Sequence, residues 1–265
     1  MNVIFSYSNK YKHNRFKYMS KSLLSCALGM LVIPLLPVGA IAQDSNTSAK
    51  TTQFKVTFDP PAEDMPKSSL GGASRTIGQC FNEKSAIPFS ALLPSSGGLT
   101  AASHPTILAY LPETSAQNIF FSWRGENNQD HYQAILPIEN EGAIISLNLS
   151  ENAPPLEVGK NYQWALGVMC NGRLQPDSPM VQGRVRRVEL APTIQNSLDS
   201  NISLKNAALY GENGLWYETV ATLAQLTAAQ PDDRDLASNW LELLDSVGLK
   251  GIAEAPLKIE QPNDK

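Results

Sequence analysis

The chain has 265 residues, 42% of them hydrophobic and 17% charged, the composition of an ordinary globular protein with one large or two small domains. Its 21 Lys and Arg against 25 Asp and Glu give a formal charge of −4. An acidic chain repels phosphate backbones and anionic lipid, so nucleic-acid binding and docking on a charged membrane are set aside.

In chain order, residues 1–21 carry Lys10, Lys12, Arg15, Lys17 and Lys21 and no acid. An apolar run follows from Leu23 to Ile41 and ends in Ala40-Ile41-Ala42. A positive n-region, an apolar h-region and a small-residue exit predict a secretory signal peptide over 1–42. Pro34 and Pro37 inside the run favour cleavage over a retained anchor, so no integral span is expected afterwards. Met19 is an alternative start, and Cys26 stands at the beginning of the apolar run instead of following it as a lipid-modified cysteine would. Losing five cations leaves 16 against 25 acids, or −9. The location implied is periplasmic or extracellular.

Two cysteines remain, Cys80 and Cys170, and export predicts one disulfide between them, with two separate buried thiols as the alternative. Residues 43–70 read as a polar linker with a possible short strand, Gln53–Phe58, before Pro60, Pro61 and Pro66. The glycine-rich GGASRTIGQC of residues 71–80 leads to the first cysteine.

From Pro88 the period is two. Strands are predicted at Phe89–Leu93, Thr106–Leu111, Asn118–Arg124 and His131–Ile138, and at Ala143–Leu149 with Ile145, Leu147 and Leu149 inward. In LEVGKNYQWALGVMC (156–170), Tyr162, Trp164, Leu166, Val168 and Cys170 share one face. Leu156, Gly159 and Tyr162 have the spacing of a tyrosine corner, in which a strand-start tyrosine bonds back to the preceding turn. The last strand, Met180–Leu190, needs a bulge at Arg186-Arg187 to reconcile Val181, Gly183 and Val185 with Val188 and Leu190. This predicts an antiparallel immunoglobulin- or fibronectin-like β-sandwich over 71–191.

After Pro192 the period becomes helical: Leu204–Tyr210, then Leu215–Ala229 opened by Gly214 and closed by Pro231. A third helix is capped by Asp232 or Asp233, with Leu236, Trp240, Leu243, Leu244 and Val247 on one stripe, and Gly248 is a natural stop. Residues 192–253 thus form a tetratricopeptide-like hairpin plus a third helix, although Thr219 and Leu226 stand where that repeat places small alanines. The tail 254–265 is expected to fray.

Four passages together resemble the domain of unknown function 928 family of secreted cyanobacterial proteins. They are GGASRTIGQC, GLTAASHPTILAYLP (98–112), PLEVGKNYQWALGVMC (155–170), and ALYGENGLWYETVATLAQLTAAQP through LLDSVGLKGIAEAPL (208–257). The resemblance implies a bacterial envelope setting and one unit in place of two independent domains; it implies no activity.

The residues themselves offer no catalytic constellation. After export only His104 and His131 could act as bases, each at a strand entry. Gly72-Ala73-Ser74-Arg75-Thr76 lacks the final glycine of a nucleophile elbow, and the glycines of 71–78 lead to no Gly-Lys-Ser/Thr. Two cysteines and two distant histidines have no metal-ligand spacing, and no cofactor is implied. Trp123, Trp164 and Tyr132 are assigned to the sandwich interior, Trp216 and Trp240 to the helices. The remaining candidate is cationic: Arg184 and Arg186 on one strand face beside Arg187, a patch able to meet an acidic partner. The expected function is therefore a non-enzymatic exported binding or scaffold protein whose partner is an envelope or cell-surface protein. A carbohydrate-binding module or weak glycan-active enzyme is the alternative.

Overall fold

A computed structural model of the chain describes residues 54–61, 80–81, 87–95, 97–126, 129–139, 142–148 and 153–259. The expected signal peptide, most of the glycine-rich loop and residues 260–265 lie outside the described residues. All described residues belong to one compact unit, so the helices are not a separate domain.

The protein is mostly β with C-terminal helices, and the strands form two sheets. The four-stranded sheet runs β1 (Ser90–Ala91), β3 (Ile107–Leu111), β6 (Ala143–Leu147), β9 (Leu257–Lys258). The five-stranded sheet runs β2 (Gly98–Thr100), β8 (Met180–Arg187), β7 (Asn161–Val168), β4 (Asn118–Arg124), β5 (Asp130–Pro137). Both sheets are mixed, which corrects the expected all-antiparallel arrangement: β2 runs parallel to β8, and β9 parallel to β6. The reason lies in two short strands that strand periodicity misses, one of three residues and one of two. Each reaches its sheet edge from a distant part of the chain.

β7 matches its predicted pattern, with Tyr162, Trp164, Leu166, Val168 and Cys170 buried. The tyrosine corner also forms. The Tyr162 hydroxyl accepts the Glu157 N–H at 3.0 Å, and Gly159 supplies the turn with φ +80°. β7 and β8 are antiparallel neighbours in continuous register from Gly167 against Met180 to Asn161 against Arg186. The bulge expected at Arg186-Arg187 is therefore absent. The strand simply ends at Arg187, and the Val188 N–H turns to the Thr100 carbonyl at 2.8 Å. The register shift of the sheet falls instead between Trp123 and Arg124 of β4. In β6 the expected inward set is also revised, since Ile144 is fully buried and Ile145 only partly. Every residue of β3 is buried, so both faces of that strand are covered.

Five helices follow: α1 (Pro192–Gln195), α2 (Leu204–Glu212), α3 (Trp216–Ala229), α4 (Arg234–Ser246) and α5 (Lys250–Ala253). The two four-residue helices are too short for a helical period to show in the sequence. Asp233 caps α4, accepting from the N–H groups of Asp235 and Leu236 at 2.9 and 3.1 Å. The predicted stripe is the buried face of α4, through Leu236, Trp240, Leu243 and Leu244. Helix α3 lies against β2, β3 and β9, so the helical pair covers sheet instead of extending a solenoid. Its Thr219, in place of a small alanine, is fully buried and returns its hydroxyl to the Leu215 carbonyl at 2.8 Å.

Two terminal segments depart from expectation. The described part of the expected linker, 54–61, has no regular secondary structure and pairs with no strand, and it packs on the helices. The tail does not fray at Glu254, because Ala255, Leu257 and Ile259 pack on the core and β9 closes the four-stranded sheet.

Cys80 and Cys170 are joined by a disulfide with Cα atoms 5.6 Å apart across 90 residues. The Cys80 carbonyl accepts the Ser115 N–H and the Thr114 hydroxyl, so the bridge ties the β3–β4 connection to the end of β7. Closing a loop of this length stabilises the fold by about 4–5 kcal/mol in the chain-entropy account. Replacing both cysteines by alanine is expected to remove most of that stability, read as a lower urea midpoint that reductant no longer changes. Wild type should fall to the same midpoint when reduced.

Candidate functional site

Two groups of residues stand out: a ring of contacts at the start of α3, and the solvent-facing side of the five-stranded sheet.

Trp216, Tyr217 and Glu218 occupy the first turn of α3 and reach three different partners. The Trp216 indole N–H donates to the Leu92 carbonyl at 2.8 Å. Its side chain lies over Gly98, where a Cβ would come within 2.5 Å of the Trp216 Cβ and 3.2 Å of the ring. The Tyr217 hydroxyl accepts the Trp164 indole N–H at 2.8 Å and donates to the Arg184 carbonyl at 3.0 Å, linking α3 to β7 and β8. Full burial of Tyr217 pushes its phenol far above the ordinary range, so it remains a neutral donor. The Glu218 Oε1 accepts the Thr100 hydroxyl at 2.6 Å and the N–H groups of Ala101 and Ala102 at 2.9 and 3.0 Å. Its Oε2 is buried without a hydrogen-bond partner. Burial outweighs these donors and raises the Glu218 pKa above the carboxylate value of 4.5.

The predicted arginines divide. Arg187 turns inward, and its guanidinium donates to the carbonyls of Ala101 and Leu156. Arg184 is exposed, and Arg186 is half-buried on the same side. Hydrogen bonds from the Asn161 backbone and side chain hold the Glu126 carboxyl below its usual value, with Lys160 and Arg186 adding smaller attractions. Opposite Arg184 lies Gln163, whose amide bonds Gln182 at 2.9 Å. Arg124 lies on the same side across the sheet and pairs with Asp130 at 3.4 Å.

Beside this polar band the register places an apolar row. Ile135 is opposite Phe120, Phe120 opposite Gly167, and Gly167 opposite Met180. Leu174 folds over Gly167, where a Cβ would come within 2.7 Å of its Cδ1. Ile135, Met180 and Leu174 are 59%, 40% and 38% exposed. Periodicity places such residues on the outer face, but only the pairing shows that they align. A cleft of about 670 Å³ also opens between β5, β6, β9 and the end of α3, with Leu136, Ile145, Leu147 and Leu257 among its walls. Its neighbours at 140–141, 149–152 and 260 lie outside the described residues, so no role is assigned to it.

The histidines join structural contacts. The His104 ring meets the Ala153 carbonyl at 2.8 Å and the Ser103 hydroxyl at 3.1 Å. The nearby N–H groups of Ala101 and Ala102 are committed to Glu218. The His131 ring meets the Pro154 carbonyl at 3.3 Å and packs on Tyr162. Among the described residues no group of three or more His, Cys, Asp or Glu is placed to hold a metal ion, and no helix is long and apolar enough to cross a membrane.

These features define a disulfide-linked protein of two mixed sheets covered by helices. The family model described as Domain of Unknown Function (DUF928) matches residues 70–257, and the chain belongs to that family. No curated protein matches the chain.

Tyr217→Phe should strand the Trp164 N–H and the Arg184 carbonyl and cost about 2–4 kcal/mol in urea denaturation. For Glu218 the folded pKa is raised, so its contribution is fully present below the unfolded value of 4.5 and is lost as pH rises through the folded one. Wild-type stability should therefore carry a falling component above pH 4.5 that Glu218→Gln removes. Matched denaturation series from pH 4.5 to 8 check this.

Proposed function

We propose that this is a non-catalytic protein of the bacterial envelope, exported to the periplasm or cell surface, that binds another protein through the outer face of its five-stranded sheet. The observation that carries the reading is the row of exposed Ile135, Leu174 and Met180, joined by half-buried Phe120, beside Arg184. Most exposed apolar residues are scattered singly, whereas an aligned set next to a polar band has the anatomy of an interface. The partner is a protein that offers acidic side chains around an apolar centre. Arg124, Arg184 and Arg186 exceed Asp130 and Glu126 on this face, against a chain that is acidic overall.

Export is supported by the N-terminal pattern together with the Cys80–Cys170 disulfide, which persists in oxidising compartments. A non-enzymatic role is supported by the positions of the histidines, whose rings are spent on main-chain carbonyls. A glycan-binding face needs an exposed aromatic platform, and all four tryptophans are buried here, which favours a protein partner over a sugar.

Ile135→Asp combined with Met180→Asp should weaken capture of the partner from envelope extract at least tenfold while leaving the urea midpoint unchanged. Arg184→Glu alone should weaken it in a salt-dependent way. Equal capture by wild type and the double variant, or saturable binding on a glycan array, would defeat the reading.

A further inference from the structure

The segment 54–61 is held as a ligand is held. It joins neither sheet, and its contacts are to the helices. Val56 is 1% exposed, and its N–H donates to Asn239 Oδ1 at 2.7 Å. The Asn239 amide is oriented by its own helix, since Nδ2 donates to the Asp235 carbonyl at 2.8 Å, leaving the oxygen to meet an incoming backbone. The Asp59 N–H donates to the Gly211 carbonyl at 3.0 Å. Phe58 stands edge-on to Trp216 with ring centres 5.0 Å apart, and Lys55 pairs with Glu242 at 3.0 Å.

The groove is shaped for a main chain. A Cβ at Gly211 would sit 2.0 Å from the Thr57 carbonyl oxygen, so any larger residue closes the groove. Gly214, with φ +72°, stands beside the Asp59 carbonyl and Pro61. Gly211, Gly214, Trp216, Asn239 and Glu242 all lie within residues 70–257 that the family model matches, whereas 54–61 lies before them. Groove and occupant thus come from different parts of the sequence. Eighteen residues, 62–79, separate Pro61 from the anchored Cys80, which span up to about 60 Å when extended.

We propose that the groove formed by α2, α3 and α4 is an exchangeable peptide site, and that its occupant in trans is residues 54–61 of a second copy of this chain. A second copy carries the sequence for which every contact above is already formed, so exchange adds no new chemistry. A tether of eighteen residues corresponds to an effective concentration of about millimolar, so trans occupancy grows with the concentration of copies. The site is separate from the outer sheet face, and either reading can fail without the other.

Lys55 and Glu242 report on the exchange because both side chains are more than half exposed, at 69% and 53%, and substitution there leaves the interior intact. Full-length Lys55→Cys is mixed with full-length Glu242→Cys and treated with a short bismaleimide crosslinker, because the 3.0 Å contact joins side-chain tips whereas a direct disulfide needs Cβ atoms about 3.8 Å apart. The expected product is a covalent dimer joined through positions 55 and 242, its yield rising about tenfold per tenfold increase in protein. Adding Val56→Asp to the Lys55→Cys chain should abolish it. Placing both substitutions in one chain should give a monomer with an internal 55–242 bridge, establishing that the pair can close. If that single chain closes while the mixed chains stay monomeric from 10 µM to 1 mM, about the effective concentration of the tethered arm, the arm is a permanent strap and the proposal is wrong.

Discussion

The structure depends on the first turn of α3. Side chains three in a row on a helix point about 100° apart, so Trp216, Tyr217 and Glu218 can reach three elements that no single face could touch. One grips the carbonyl after β1, one stands between β7 and β8, and one gathers the chain leaving β2. A buried polar group is costly unless paired, so each bond fixes position as well as adding stability. Helix α3 is therefore joined to both sheets and their connections by directional bonds.

Close approach of this kind needs glycine opposite tryptophan. Trp164 lies over Gly183, where a Cβ would come within 2.4 Å of the indole, and Trp216 lies over Gly98. Each pair brings a large ring against bare backbone, and the indole N–H then finds an oxygen beyond it. The disulfide acts on the unfolded chain instead, shortening a long loop, and it holds the β3–β4 connection against the end of β7. These interior bonds and the covalent link all lie away from the outer face of the five-stranded sheet, and the proposed recognition role rests on the aligned apolar row there.

What could be read from residues alone followed from period, spacing and count. Alternation placed β4 and β7 at their observed bounds or within a residue or two of them. The Leu156, Gly159, Tyr162 spacing specified a hydrogen bond that forms, and the cysteine count specified a disulfide that forms. The α4 stripe and its Asp233 cap were equally plain, because both are local signals. The same local reading misjudged Val188 and Leu190, assigning a bulge where the strand had ended, since parity alone cannot tell the two apart.

Tertiary structure decided the rest. Strands of two or three residues have too few positions to show a period, so β2 and β9, and with them the mixed character of both sheets, were invisible in sequence. Nothing local names the partners of Arg187, the carbonyls of residues 101 and 156, although alternation already puts it on the face of Val181, Gly183 and Val185 and opposite Arg184. Nor does it say that Ile135, Phe120 and Met180 share a row, since register is a relation between strands. The sequence by itself determined the longer strands and helices, the cap, the corner and the covalent link, all of which rest on neighbours or on counting. Which surfaces face water, and what lies in the helical groove, were decided only when distant segments met.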